Sequence, residues 1–313
     1  PGNYGELWTW GGGNWGQIGD GTVVSKSSPV QVGSDTTWSN VATGKEYNAY
    51  SIKTNGTLWA IGNNSFGQLG QNNRTGVSSP IQVPGTNWSE VNGGYRKVVA
   101  TKTDGTMWAW GYGYQGGLAH GGSPGNTNRS SPVQIFGEGT GWIRPKTGGA
   151  SGGTTAGLKT NGTLFTWGAG ADGVLGISNN SNYSSPKQVP GTTWASLEIS
   201  GSGPEMLATK TDGTLWIWGN NADGQLAQNN RTQYSSPKQI PGTSWANGDN
   251  QIASGNNAAF AIRTDGTLWS WGDNSRGALG LNNVTQYSSP VQIPGGWSDI
   301  TSSVYGQAGI KNV

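Results

Sequence analysis

TDGTLWIWG, residues 211–219, decides the fold. Two tryptophans stand two residues apart, directly behind an Asp-Gly pair. In an extended strand successive side chains point to opposite faces, so Trp216 and Trp218 share one face while Leu215 and Ile217 share the other. Both faces are apolar, which predicts a strand buried on both sides. The Asp212-Gly213 pair predicts a two-residue hairpin turn with positive φ at both central residues, joining this strand to MLATKTDG before it.

The same phrase recurs along the chain. The copies are GELWTWG (5–11), GTLWAIG (56–62), GTMWAWG (105–111), GTLFTWG (162–168), GTLWIWG (213–219) and GTLWSWG (266–272). Each is followed by a long polar loop and a tail of the type SSPKQIPG (235–242). A tryptophan comes after each tail: Trp38, Trp88, Trp142, Trp194, Trp245 and Trp297. Each unit therefore reads as four short strands: TTWASLEI, MLATKTDG, TLWIWG and SSPKQIPG in the unit that starts at residue 192. Pro237 suits the start of an edge strand, where no ladder donor is lost. Units of four strands at a period near 50 residues predict an all-β propeller.

The ends extend the expectation. The chain closes on QAGIKNV (307–313), which matches the strand before the turn, as in AYSIKTN (49–55), and opens on GELWTWG, the strand after it. This predicts a single domain, 1–313, with six four-stranded blades. They run over approximately 36–85, 86–137, 140–191, 192–242, 243–295, and 297–313 joined to 1–33, the last closed by strands from both termini. Because residue 1 is Pro, a segment removed upstream is also expected.

Composition bounds the function. The 313 residues include 56 Gly and 17 Trp, with 32% hydrophobic and 11% charged residues. Few but large apolar side chains on a turn-rich backbone favour β structure over helices and over disorder. With no Cys, disulfides and thiolate metal sites are excluded. A net charge of +2 gives no argument for nucleic acid, and no apolar run is long enough to cross a membrane as a helix.

The [DN]GT[LM]W-x-WG core, the loop start Asn63-Asn64-x-x-Gly67-Gln68-Leu69-Gly70 and the SSPVQV-type tail resemble the repeat of the regulator of chromosome condensation family. The resemblance covers essentially the whole chain. It implies a propeller, and a role drawn from a superfamily that includes nucleotide exchange factors, ubiquitin-ligase modules, a β-lactamase-inhibiting protein and bacterial and phage surface proteins. The named eukaryotic members usually have seven blades. The family's His after a Gly-Gly pair is missing from GGYRK (93–97), and nothing matches the exchange factor's wedge. The PGTxW and Asn-rich style looks like bacterial and phage versions.

Catalytic chemistry has little to rest on. His120 stands alone in LAHGGSPGN and reads as solvated. There is no G-x-S-x-G elbow, no P-loop lysine beside GGASGG (148–153), and no acid pair spaced for glycoside hydrolysis. Asp172 and Asp223 form no EF-hand pattern, and N-x-[ST] triplets such as Asn73-Arg74-Thr75 follow from composition. The expectation is therefore no catalytic residue, no metal and no cofactor.

Two constellations remain. A cation precedes each hairpin turn: Lys53, Lys102, Lys159, Lys210, Arg263 and Lys311. These form either a solvated, snorkelling ring or an anion-binding ring. The loops between first and second strands differ in every unit, and loops on a rigid scaffold often carry binding. Their contact-prone residues are Tyr47, Tyr95, Arg96, Glu205 and Tyr305. The expected function is a non-enzymatic binding module on a virion or cell surface, recognising a surface glycan or a protein, other virion proteins included, through one propeller face, without nucleic acid or membrane insertion. Its rivals are a structural part of a phage tail, fibre or capsid decoration, and an exchange factor or chromatin binder.

Overall fold

Each repeat folds into an antiparallel sheet whose strands alternate between two interblade cores. The computed structural model describes residues 5–45, 47–121, 125–148, 153–201, 203–248, 250–255, 257–302 and 307–311. An N-terminal hairpin, β1 (Trp8–Gly11) and β2 (Lys26–Gln31), precedes the blades. Blade 1 is β3 (Trp38–Thr43), β4 (Asn48–Lys53), β5 (Leu58–Gly62) and β6 (Val77–Gln82). Blade 2 is β7 (Trp88–Gly93), β8 (Lys97–Lys102), β9 (Met107–Gly111) and β10 (Arg129–Gln134). Blade 3 is β11 (Trp142–Gly148), β12 (Thr154–Lys159), β13 (Leu164–Gly168) and β14 (Tyr183–Gln188). Blade 4 is β15 (Trp194–Ile199), β16 (Glu205–Lys210), β17 (Leu215–Gly219) and β18 (Tyr234–Ile240). Blade 5 is β19 (Ile252–Gly255), β20 (Ala258–Ile262), β21 (Thr267–Gly272), β22 (Tyr287–Ser302) and β23 (Gln307–Lys311).

The two-sided burial expected of TLWIWG is present. Leu215 and Ile217 of β17 pack with Trp245, Ile252 and Trp271 of the following blade. Trp218 packs with Leu158, Val174 and Trp194, with half-buried Trp216 against the same cluster. The second tryptophan of the motif also ties blades together through its indole. Trp110 Nε1–H donates to the Gln68 carbonyl at 2.9 Å, Trp167 to Gly117 at 3.1 Å, Trp218 to Val174 at 2.8 Å and Trp271 to Gln225 at 2.8 Å. Each acceptor lies in the loop of the preceding blade, so one side chain supplies both core volume and a buried interblade hydrogen bond.

Those loops are braced internally. Asn64 Nδ2 donates to the Asn73 and Thr75 carbonyls while its Oδ1 accepts the Leu69 N–H at 2.9 Å; Asn221 repeats the arrangement, and Asn274 bonds the Asn283 carbonyl and the Leu279 N–H in the same way. The Asn-rich composition thus serves as a set of backbone braces. The loop glycine then lies flat on the next blade's Ser-Ser-Pro tail. A Cβ on Gly173 would fall 2.4 Å from Ser235 Cα, and its φ is +75°. Gly173→Ala is therefore expected to destabilise the protein by more than about 1 kcal/mol, read as a shifted urea midpoint. An unshifted midpoint would mean that the loop does not hold the blades together.

Two expectations are corrected. The hairpin turns are not two-residue turns. Asp212 and its equivalents have negative φ, and only the glycine is left-handed, at +77° in Gly213. Gly213 N–H bonds back to the Lys210 carbonyl, and Lys210 N–H to Thr214, which makes a three-residue loop closed by a glycine bulge. The Asp212 carboxylate accepts both the N–H and the hydroxyl of Thr214 at 3.0 and 2.6 Å, which fixes the turn without positive φ at the acid.

The second correction concerns the blade count, which is five rather than six. The strands from the two termini share no ladder among the described residues. β1 and β2 pair only with each other as a separate two-stranded sheet, touching blade 1 through a bridge between Gly5 and Trp38. At the other end β22 runs unbroken from Tyr287 to Ser302, so β23 is carried on the distal half of the fifth sheet's own strand. Trp8 and Trp10 consequently remain 46% and 63% exposed.

Candidate binding face

Loops between first and second strands meet those between third and fourth strands at one end of the propeller. Backbone bonds fix the pairing in each blade: Asn63 N–H to Tyr47 O at 2.9 Å, Tyr112 to Arg96 at 2.8 Å, Asn220 to Pro204 at 2.9 Å and Asp273 to Asn257 at 2.8 Å. Tyr47, Tyr95 and Arg96 lie on this end. Tyr47 is 53% exposed and stacks on Trp15, itself 49% exposed, with centroids 6.0 Å apart. Arg96 lies over Phe66 at 4.6 Å and over Tyr95 at 5.3 Å. Phe66 contacts Tyr112 at 4.9 Å, and Tyr112 stacks on Tyr114 at 5.7 Å. An arc of aromatic rings therefore spans the N-terminal hairpin and blades 1 and 2. Farther round, the loop-tip position of Trp15 and Phe66 is taken by Asp172 and Asp223.

Trp15, Phe66, Tyr112 and Tyr114 are not among the residues singled out from sequence. They sit in the third-to-fourth-strand loops, whose repeated Gly, Asn and Gln residues draw attention away from the variable positions among them. Tyr305 lies outside the described residues.

Glu205 is not a surface contact. It is the first residue of β16, fully buried, and its Oε1 accepts the Ser254 hydroxyl of blade 5 at 2.9 Å. Its Oε2 presses on Gly203, where a Cβ would fall 2.1 Å from that oxygen and 2.7 Å from Asn257 Oδ1. Burial pushes its pKa up to about 7 against the weaker pull of the Ser200 and Ser254 hydroxyls. Lys97 holds the matching position at the start of β8. It is 1% exposed, donates to the Thr154 carbonyl and Thr155 hydroxyl of blade 3, and has its pKa pushed down to about 7 by burial. His120 is likewise half-buried rather than solvated, and burial holds it at about 4.

At the opposite end the cations are held between aromatic faces. Lys53 lies 4.5 and 4.1 Å from the Trp38 and Trp59 rings, and Lys210 lies 4.8 and 4.3 Å from Trp194 and Trp216. Lys102, Lys159 and Arg263 repeat the sandwich, and Lys53 also pairs with Asp35 at 2.6 Å. Lys311 pairs across from Trp297 in the β22–β23 ladder. Five of the six cations thus have their charge directed onto protein rings. Among the described residues no three His, Cys, Asp or Glu side chains are placed to hold a metal, and no helix is long and apolar enough to cross a membrane.

Together these features define a repeat β-propeller with a loop-bearing aromatic face. The profile of the regulator of chromosome condensation (RCC1) repeat matches residues 4–50, 55–100, 161–196 and 265–307, and a second profile of that repeat matches 242–278. The chain belongs to the RCC1 repeat family. It is 26% identical to the ultraviolet-B receptor UVR8 of Arabidopsis thaliana, over 91% of this chain and 65% of the receptor. It is also 26% identical to the human E3 ubiquitin-protein ligase HERC2, over 94% of this chain and 6% of the ligase. The chain thus spans less than two thirds of either relative. Among solved structures, Prp20p of Saccharomyces cerevisiae superposes with a TM-score of 0.78 at 18% identity, covering 98% of this chain and 79% of that one.

Proposed function

We propose that this chain is a protein-binding module that presents its loop-bearing face, at a virion or cell surface, to a partner anchored on the aromatic arc. The observation that carries the reading is the exposed Trp15–Tyr47 stack, continued by Tyr95, Arg96 and Phe66 on the same end. Rigid aromatics and arginine are the residue types that dominate interface energies, since they supply area at low entropy cost. Family membership supports an interaction role, and Prp20p has binding properties toward Gsp1p and histones. The surface setting rests on the resemblance of the PGTxW and Asn-rich repeats to bacterial and phage versions.

The test is an array of surface proteins and surface glycans probed with wild type and with a Trp15→Ala/Tyr47→Ala double variant. Saturable binding to a protein is expected, weakened in the variant by about 2 kcal/mol or more, roughly thirtyfold in Kd. Equal binding by the variant would remove the arc from the interface, and binding confined to glycans would replace the protein partner.

A further inference from the structure

The innermost strands enclose a second feature, separate from the aromatic arc. β3, β7, β11, β15, β19 and the distal half of β22 line an axial cavity of about 350 Å³. Its walls are polar: Asn40, Asn92, Ser254 and Thr301 offer amides and hydroxyls, and Lys146 is neutralised by Glu198 at 2.7 Å. The Glu90 carboxylate, also in the wall, accepts the Arg144 N–H at 3.1 Å.

Lys45 lies at the mouth. Its loop leaves blade 1 just after Thr43, which lines the cavity, and its N–H is fixed to the Gly94 carbonyl of blade 2 at 2.9 Å. The side chain crosses toward blade 4, where a Cβ on Gly201 would lie 3.3 Å from Nζ. Among the described residues no hydrogen bond or ion pair reaches that ammonium. It is exposed at the mouth, yet the surrounding protein thins its hydration and holds its pKa below the usual lysine value. Glu198 and Glu205 pull the other way and Lys146 adds to the depression. Of the described acids that act on it, Glu198 pairs with Lys146, and buried Glu205 accepts the Ser254 hydroxyl through Oε1. An accessible cation with no acceptor among the described residues, beside a cavity rich in amides and hydroxyls, has the chemistry of a receptor for one negative group carried on a polar body.

We propose that the mouth of the axial cavity binds a carboxylate, with the Lys45 ammonium as its charge partner and the Asn- and Ser-lined wall receiving the attached polar groups. The carboxylate can come from a free acidic sugar or from the terminal carboxyl of a partner's chain, and both share this chemistry.

The test uses the full chain, with glucuronate against neutral glucose, and a short Gly- and Ser-rich peptide with a free C-terminus against its amide, all followed by calorimetry. Saturable binding by at least one carboxylate is expected, with its neutral twin failing. The Lys45→Met variant should lose about tenfold or more in affinity, and Lys45→Arg should retain binding. Binding of glucuronate identifies a small-molecule source, and binding of the free-acid peptide alone identifies a chain terminus. The proposal is overturned if no carboxylate saturates at millimolar concentration, if the neutral twins bind equally, or if Lys45→Met binds like wild type while its melting temperature is unchanged. Because Lys45 lies outside the aromatic arc, loss at this site leaves the arc's partner binding intact, and the two readings fail separately.

Discussion

Trp218→Ala is expected to destabilise the protein by about 3–5 kcal/mol, the largest effect of any single substitution considered. Trp218 is fully buried, forms the wall between blades 3 and 4, and donates its indole N–H to the Val174 carbonyl. Truncation leaves a cavity that Val174, Leu197 and Trp194 cannot fill without moving sheets, and it orphans a buried carbonyl. The informative control is Trp10→Ala. Trp10 occupies the same place in its repeat but is 63% exposed, because no blade lies in front of the N-terminal hairpin. Its loss should stay within about 0.5 kcal/mol. Urea denaturation of the two variants reads both. A Trp10 cost equal to that of Trp218 would contradict the separate two-stranded sheet and with it the count of five blades.

The second large effect is a dependence of stability on pH from two buried groups of opposite sign. Glu205 is raised from 4.5 to about 7, so the folded state holds a proton that the unfolded chain releases earlier. Its contribution is fully present below pH 4.5 and is lost as pH rises to 7, by about 3 kcal/mol. Lys97 is lowered from 10.5 to about 7, so the folded state sheds a proton that the unfolded chain keeps. Its burial penalises the charged form below pH 7, and stability recovers as pH rises from 7 toward 10.5. Half-buried His120, held at about 4 by burial, works against Glu205 in the same range, because its lowered pKa makes stability rise as pH goes from 4 to 6.5. The turn and loop acids Asp20, Asp35, Asp104, Asp212 and Asp265 are lowered, chiefly by side-chain hydrogen bonds, and act only at more acid pH. Glu205→Gln keeps the shape and removes this one component, so its stability relative to wild type should rise between pH 4.5 and 7 and exceed wild type at pH 8. A stability difference between wild type and Glu205→Gln that stays constant between pH 4.5 and 7 would show that Glu205 stays ionised in its site.

The blades were legible because a repeat repeats its physics. Paired tryptophans two apart demand burial on both faces, and the structure puts Leu215 and Trp218 in different cores of one sheet. Turn type was less legible. Asp-Gly suits a two-residue turn, but the Asp212 carboxylate is satisfied by Thr214, which stabilises the longer bulged loop instead. Ring closure by the termini rested on matching QAGIK to its internal equivalents, and likeness of a strand does not fix its hydrogen-bonding partner. β23 took the extension of β22.

Glu205 was misplaced because SGSGPEM looks like loop from end to end. Setting EMLATK beside NAYSIK, KVVATK and TTAGLK puts it in one column with Asn48, Lys97 and Thr154, all of them buried. That column of buried polar residues is visible in the sequence, and at Glu205 and Lys97 it reaches the next blade. The anion ring failed to separate from its alternative for a different reason. Spacing places the cations on one ring, but only geometry shows Lys53 and Lys210 closed between indoles.

The central claim is that this propeller binds through the aromatic arc of its loop-bearing end. The most direct test puts wild type, Trp15→Ala/Tyr47→Ala and Lys45→Met on the same array of surface proteins, with melting temperatures measured alongside. The account predicts a protein partner that wild type and Lys45→Met both bind and the arc variant loses, with all three equally folded. A partner that the well-folded arc variant binds as tightly as wild type would contradict it.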